Sequence, residues 1–210
     1  ENKASVNGFL DDYMFLVQNL LKVYQISFDK KYLDKAIEIA EKTIELFLDP
    51  KEGGFFYSQN TEITKEKPIL DFSSPSPNSV AISVLLDLYY LTENENYEKL
   101  AEAALKIFKS TQSGYDLHIA TYIEALDYYF SGPKEFVIIG DYNDSAVKEF
   151  VKVINQKPGK NIIFIGDSKT NKISVFKGRE KIGGKPTVYI CTNKTCSPPI
   201  TNLEKLKEVI

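Results

Sequence analysis

Four carboxylates are the candidates for acid–base chemistry. Asp11 and Asp12 stand side by side in Gly8-Phe9-Leu10-Asp11-Asp12-Tyr13, Asp71 opens the polar run Asp71-Phe72-Ser73-Ser74-Pro75-Ser76-Pro77-Asn78-Ser79, and Glu124 lies among aromatic residues. Acid–base work across a bond takes one proton donor and one acceptor on opposite sides of it. Asp11 or Asp12 furnishes one such partner, and Asp71 or Glu124 the other. Glu124, if buried and unpaired, has the raised pKa of a general acid; if it faces water it is a surface charge.

Each of these groups also has a purely structural reading. An aspartate near a helix start accepts hydrogen bonds from the free amides of the first turn and suits the positive end of the helix dipole, which explains one of Asp11 and Asp12 more readily than both. Ser76 or Asn78 caps a helix, but capping needs only one of them. The surplus of hydroxyl, amide and carboxylate groups between Asp71 and Ser79, held extended by Pro75 and Pro77, is the argument for a site. Gly53-Gly54-Phe55-Phe56-Tyr57 combines a tight turn with aromatic residues. It reads as a short strand or aromatic wall over a hairpin end, or as a platform for the apolar face of a sugar ring, with Phe55 and Tyr57 as the stacking rings.

The elements that position these groups follow from periodicity. Apolar residues at three-and-four spacing predict helices over about 10–28, 31–48, 78–91, 97–110 and 118–130. Sliding the sequence by 65 residues lays Leu20-Leu21-Lys22-Val23-Tyr24 on Leu85-Leu86-Asp87-Leu88-Tyr89 and Asp29, Tyr32 and Ala36 on Asn94, Tyr97 and Ala101. The repeating unit is an αα-hairpin. The register puts Asp11 and Asp12 over Ser76 and Pro77, so the polar starts of both first helices belong at one end of the stack.

Beyond Gly132-Pro133 the period becomes strand-like. Strands over Glu135–Ile139 and Asn161–Ile165 flank a helix over 145–154, a βαβ unit with parallel strands, and Ile173–Phe176 and Thr187–Ile190 supply further strands before a closing helix. The expected organisation is an αα-hairpin segment, 1–131, and a small α/β region, 132–210. Both parallel strands end in Gly-Asp, but no GxGxxG or GxxxxGK[ST] accompanies them, so a nucleotide site is a weak reading.

Cys191 and Cys196, the only cysteines, are spaced to close a disulfide across a loop, to stay reduced as structural thiols, or to act as a redox-sensitive pair; the spacing is not CxxC. A single histidine, His118, reads as a capping or surface residue before a general base. With no HExxH and no Cys/His cluster, neither metal nor cofactor is expected.

The formal charge of −3 over 210 residues, with lysine and glutamate interspersed, gives no footprint for nucleic acid. No apolar run approaches a membrane span and no leader pattern opens the chain, so a cytoplasmic location is expected. A first residue of Glu1 reads as a piece of a longer or processed polypeptide.

The order GFLDDY, helical hairpin, GGFF, Pro-Ser-x-Asn-Ser cluster, second hairpin and βαβ region ending in Cys-x4-Cys-x-Pro-Pro resembles the carboxyl-terminal part of the thioredoxin-domain-containing protein family that includes spermatogenesis-associated protein 20. The resemblance implies an (α/α)6 toroid similar to N-acylglucosamine 2-epimerases and six-hairpin glycosidases, preceded in the full protein by a thioredoxin-like domain. A toroid takes twelve helices; about five precede the α/β region, so the chain reads as the last third to half of such a protein. The motif positions are Asp11, Asp12 and Tyr13; Gly53, Gly54 and Phe55; and Ser76, Asn78 and Ser79. Phe72 and Ser73 depart from the Gly and Ala expected before the serine–asparagine cluster.

Two functions compete. One is an enzyme, or the remnant of one, acting on carbohydrate through the carboxylates, with Tyr13, Phe55, Tyr57, Ser76, Asn78 and Ser79 holding the sugar. The other is a non-catalytic scaffold or partner-binding module, supported by the lack of a second catalytic motif and by the single histidine. The expected partners are a sugar ligand and either the N-terminal remainder of the same protein or a second copy of the chain.

Overall fold

The 65-residue repeat reappears as a repeated set of hydrogen bonds. In the computed structural model, which describes residues 7–59, 65–110, 118–167, 173–192 and 195–210, helices α1 (Leu10–Ser27) and α2 (Lys30–Phe47) form one hairpin, and α3 (Pro77–Thr92) and α4 (Glu95–Lys106) the next. α1 ends on Phe28 and α3 on Glu93, 65 positions apart. Both adopt left-handed backbone, φ 54° and 59°, and their N–H groups return to Tyr24 O and Tyr89 O at 2.7 Å each. One residue earlier, the Ser27 hydroxyl donates to Val23 O and the Thr92 hydroxyl to Leu88 O. One residue later, Asp29 and Asn94 cap the following helices by accepting the N–H of Lys31 and Asn96, each at 3.1 Å. The same connection is built twice from similar side chains.

Packing then sorts the helices into inner and outer. α2 and α4 are amphipathic, burying Ala36, Ala40 and Phe47 in one and Tyr97, Ala101, Ala104 and Leu105 in the other. α3 is buried nearly all round, from Pro77 to Leu86 and again at Leu88 and Leu91, as expected of a helix apolar on every face. The fourth helix is shorter than the pattern predicts: it stops at Lys106 and tightens into a 3₁₀ turn, Ile107–Ser110. α5 (Ala120–Ser131) begins two residues later than expected. The Tyr128 hydroxyl ties it to Asp87 of α3 at 2.8 Å, and Tyr122 stacks on Phe108 at 3.7 Å.

The chain divides into two compact units, Glu1–Phe130 and Ser131–Ile210. In the second, β1 (Lys134–Ile139), α6 (Ser145–Asn155) and β2 (Asn161–Gly166) make the βαβ unit, with β1 and β2 parallel. β3 (Thr187–Thr192) lies antiparallel on the other side of β1 and carries the short β4 (Thr195–Cys196), so the mixed sheet runs β2-β1-β3-β4. Val147, Phe150, Val151 and Ile154 of α6 are buried, and α7 (Leu203–Val209) contributes Leu206. Gly140 is required here: a Cβ would stand 2.7 Å from Val147 Cγ2.

The strand expected over Ile173–Phe176 is instead a 3₁₀ turn, Ser174–Phe176. Only Phe176 of that apolar run enters the core, edge-on to Phe164 at 6.3 Å, and a single inward side chain favours a turn over an alternating strand. No described helix is long and apolar enough to cross a membrane.

Candidate functional site

The GGFF turn is bolted to three helices. Gly53 and Gly54 have φ of 78° and 68°, and a Cβ on them would meet Ala103 O at 2.7 Å and Ile107 Cδ1 at 2.6 Å, so the turn lies flat against α4 and the 3₁₀ turn that follows it. Phe56 N–H reaches Phe47 O at the end of α2 (2.8 Å), and Leu48 and Phe55 share one antiparallel bridge in place of the short strand expected. Lys67 closes the turn: its Nζ binds Asp49 Oδ2 at 2.7 Å and Gly53 O at 2.9 Å with both ionic side chains largely buried. The polar loop containing Lys67 gave no sequence signal beyond composition.

From α3, Asn78 holds the same turn. Its Oδ1 accepts the Phe55 N–H at 2.8 Å, and its Nδ2 donates to Phe55 O at 3.0 Å and to Pro68 O at 2.9 Å. Phe55, Asn78 and Ser79 are all fully buried. Residue type alone suggests ligand contacts at these positions; in the structure the Phe55 ring has no face open to stack a sugar, and the Asn78 amide is taken up by the main chain. Ser76 is the α3 cap, accepting Ser79 N–H at 3.2 Å while its hydroxyl donates to Pro68 O at 3.0 Å. Ser79 Oγ is buried with no hydrogen-bond partner among the described residues.

Asp71 is likewise a clamp. One carboxylate oxygen accepts Ser76 N–H at 2.7 Å and the other Thr121 N–H, in the first turn of α5, at 2.8 Å. His118 completes the joint: its carbonyl accepts Asp71 N–H at 2.7 Å, and its Nδ1 lies 2.8 Å from Asp71 O, where only a protonated nitrogen can donate. His118 is exposed, as expected of a surface residue, and it also joins the Asp71 segment to the start of α5. Glu124 is exposed on α5, which fits the surface-charge reading rather than that of a buried acid.

The start of α1 is different. Its N-cap is Phe9, not an aspartate: Asp11 and Asp12 occupy the first turn, and Asp12 Oδ2 accepts the Phe9 N–H at 2.9 Å in a capping-box contact. Leu10 N–H donates to Tyr57 O at 3.0 Å, which lays the two segments together. The Phe9 and Tyr57 rings stack at 4.9 Å. Burial, then the charges of Asp11 and Asp12 and a hydrogen bond to Asp11, push the Tyr57 phenol above its ordinary pKa, so it remains a proton donor toward Asp11. Asp11, Tyr13 and Tyr57 are half-buried and Phe9 and Asp12 are exposed. Of the residues singled out in sequence, Asp11, Asp12, Tyr13 and Tyr57 are therefore gathered at an accessible edge, and Phe9 joins them.

Tyr13 packs edge-on to Phe47 at 5.4 Å and borders an open groove lined by Glu38, Glu41, Lys42 and Glu45 of α2. Glu41 accepts the Tyr97 hydroxyl of α4, and burial together with that acceptor drives the Tyr97 phenol well above its usual range. In the second unit Cys191 and Cys196 form a disulfide across the β3–β4 pair. No group of three or more histidine, cysteine, aspartate or glutamate side chains suited to a metal ion occurs among the described residues.

No family model matches the chain. Over 97% of its length it is 27% identical to spermatogenesis-associated protein 20 of Mus musculus and of Homo sapiens, and over its full length 26% identical to an uncharacterised protein of Caenorhabditis elegans. The chain spans 27% to 29% of the length of these relatives. Among solved structures it is similar to a GH76 alpha-mannanase of Bacteroides thetaiotaomicron, at 19% identity and a TM-score of 0.49, over 73% of this chain and 42% of that one.

Proposed function

We propose that this chain is a helical-hairpin part of an (α/α)6 toroid within a longer thioredoxin-domain-containing protein, and that its accessible hairpin end binds carbohydrate without completing a catalytic carboxylate pair. The observation that carries this reading is the edge at the start of α1, where the Tyr57 hydroxyl meets the Asp11 carboxylate and the Tyr57 ring stacks on Phe9. A carboxylate accepts sugar hydroxyls and an aromatic face covers the apolar side of the ring. Asp71 argues against a second catalytic partner, because both of its oxygens are already held by main-chain N–H groups at two helix starts.

The test is a thermal-shift panel of free, amino and phosphorylated sugars on this chain and on Asp11→Asn and Tyr57→Phe. A ligand at a hundred times its dissociation constant stabilises the fold by about 2.7 kcal/mol. A shift with one sugar class that disappears in both variants supports the reading. No shift, or one indifferent to Asp11, overturns it.

A scaffold role is the second reading, and it rests on α1. Leu16, Val23 and Ile26 are 48%, 40% and 64% exposed, an apolar stripe at helical spacing of the kind that covers a neighbouring helix. The occupant proposed is the preceding hairpin of the longer protein. Sedimentation of this chain with and without Leu16→Glu measures its alternative, self-association through the same stripe.

A further inference from the structure

The disulfide of the second unit has a cation placed on it. Cys191 and Cys196 are directly paired in the β3–β4 register. Arg179 reaches them from the loop after the 3₁₀ turn, with Nη2 2.7 Å from Cys196 Sγ and 3.4 Å from Cys191 Sγ. The guanidinium is aimed by its own neighbourhood: Nη1 donates to Val175 O and Lys177 O, and Cζ lies 5.9 Å from the centre of the Tyr189 ring. Tyr189 is fixed in turn by its hydroxyl, which donates to Glu180 O at 2.9 Å and accepts Glu180 N–H at 3.3 Å. Among the described residues, the partners of Arg179 are carbonyls, sulfurs and an aromatic face, and none is a carboxylate. A disulfide has no charge to attract a guanidinium, whereas a thiolate has, so this arrangement favours the reduced pair.

We propose that Cys191–Cys196 is a reversible thiol–disulfide site, exchanged by a dithiol reductant, with Arg179 as the residue that stabilises the thiolates released. Cys191 is 1% exposed, and Cys196 is the more accessible sulfur. The first thiolate of the dithiol attacks Cys196 Sγ, forming a mixed disulfide and breaking the Cys191–Cys196 bond. The bonding pair leaves on Cys191 Sγ as a thiolate beside Arg179. The second thiol of the reductant, on losing its proton, attacks the reductant's own sulfur in the mixed disulfide. Cys196 is released as a thiolate against Nη2. Two electrons pass to the cysteine pair, the reductant is oxidised to its own disulfide, and the two protons it loses go to solvent or to the cysteine sulfurs.

Two features suit a reversible site. The hairpin is held without the sulfurs, since Ser197 N–H donates to Ile190 O at 2.8 Å and Val188 and Ile200 exchange both of their main-chain bonds, so the cysteines stay adjacent when reduced. A five-residue separation also closes too short a loop to constrain the unfolded chain as a long one does. This inference is independent of the carbohydrate reading.

The experiment equilibrates the whole chain in graded mixtures of reduced and oxidised dithiothreitol, traps thiols by alkylation and reads the reduced fraction by mass. Arg179→Met is expected to lower the equilibrium constant for reduction by about tenfold, while Arg179→Lys, which keeps the charge, retains most of the wild-type value. An equal midpoint in wild type and Arg179→Met overturns the proposal. If Arg179→Met does not fold, the pH profile of alkylation of reduced wild-type protein decides. Half-maximal reactivity clearly below that of a free cysteine, about pH 8.5, supports Arg179, and a value at or above it overturns the proposal.

Discussion

Asn78 grips both main-chain polar groups of Phe55, a residue 23 positions earlier, as a neighbouring strand would: Oδ1 takes the N–H and Nδ2 the carbonyl. The contact is wholly buried, so its loss exposes no replacement water. Asn78→Ala leaves Phe55 N–H, Phe55 O and Pro68 O without this partner, and the expected cost is about 3 kcal/mol or more. Urea unfolding measures it. A loss under about 1 kcal/mol would mean that water replaces the amide.

Ser79 sits one residue further on and behaves in the opposite way. Its Oγ is buried without a partner among the described residues, so it contributes desolvation cost and no bond. Ser79→Ala is expected to be neutral or to stabilise by about 1 kcal/mol. Destabilisation on that scale would show that the hydroxyl has an acceptor, or a ligand, in solution.

Lys67 and Asp49 predict a pH dependence. Burial raises the Asp49 carboxyl, but the hydrogen bond from Lys67, the N–H groups of Lys51 and Glu52 and the Lys67 charge outweigh it, and the folded pKa lies below the ordinary value. That contribution is complete above the unfolded pKa, about 4. It is lost as pH falls through the lower, folded value. Lys67→Met leaves a buried carboxylate unpaired, at an expected cost of about 3–5 kcal/mol near neutral pH. In that variant stability should rise, not fall, as Asp49 is protonated, which melting temperatures from pH 3 to 7 would reveal.

The repeated helix ends give a test of local strain. Glu93 holds φ 59° without being glycine, a conformation that costs a side-chain-bearing residue about 1 kcal/mol. Glu93→Gly is expected to raise stability by about 0.5–1 kcal/mol. The equivalent Phe28→Gly should gain less, because the Phe28 ring packs edge-on to Tyr24 at 6.1 Å. Equal gains at both sites would mean that this ring contact is worth nothing.

Periodicity alone was enough to place the hairpins, their 65-residue repeat, the βαβ unit and the parallel pairing of β1 and β2, because each depends on residues close in sequence or on one recurring spacing. Part of the repeated connection was legible: Asp29 recurs as Asn94, and the hydrogen bond each accepts spans two residues, whereas the matching Ser27 and Thr92 hydroxyl bonds emerged only in the structure. The roles of the site residues were not. Asp71 reaches Thr121 across 50 positions, Asn78 reaches Phe55 across 23, and Arg179 reaches Cys196 across 17. A polar side chain has the same identity whether it binds main chain, ligand or water. Tertiary packing decided which of the candidates would be enclosed as clamps, Asn78 and Asp71 among them, and which, at Asp11, Tyr13 and Tyr57, would stay within reach of another molecule.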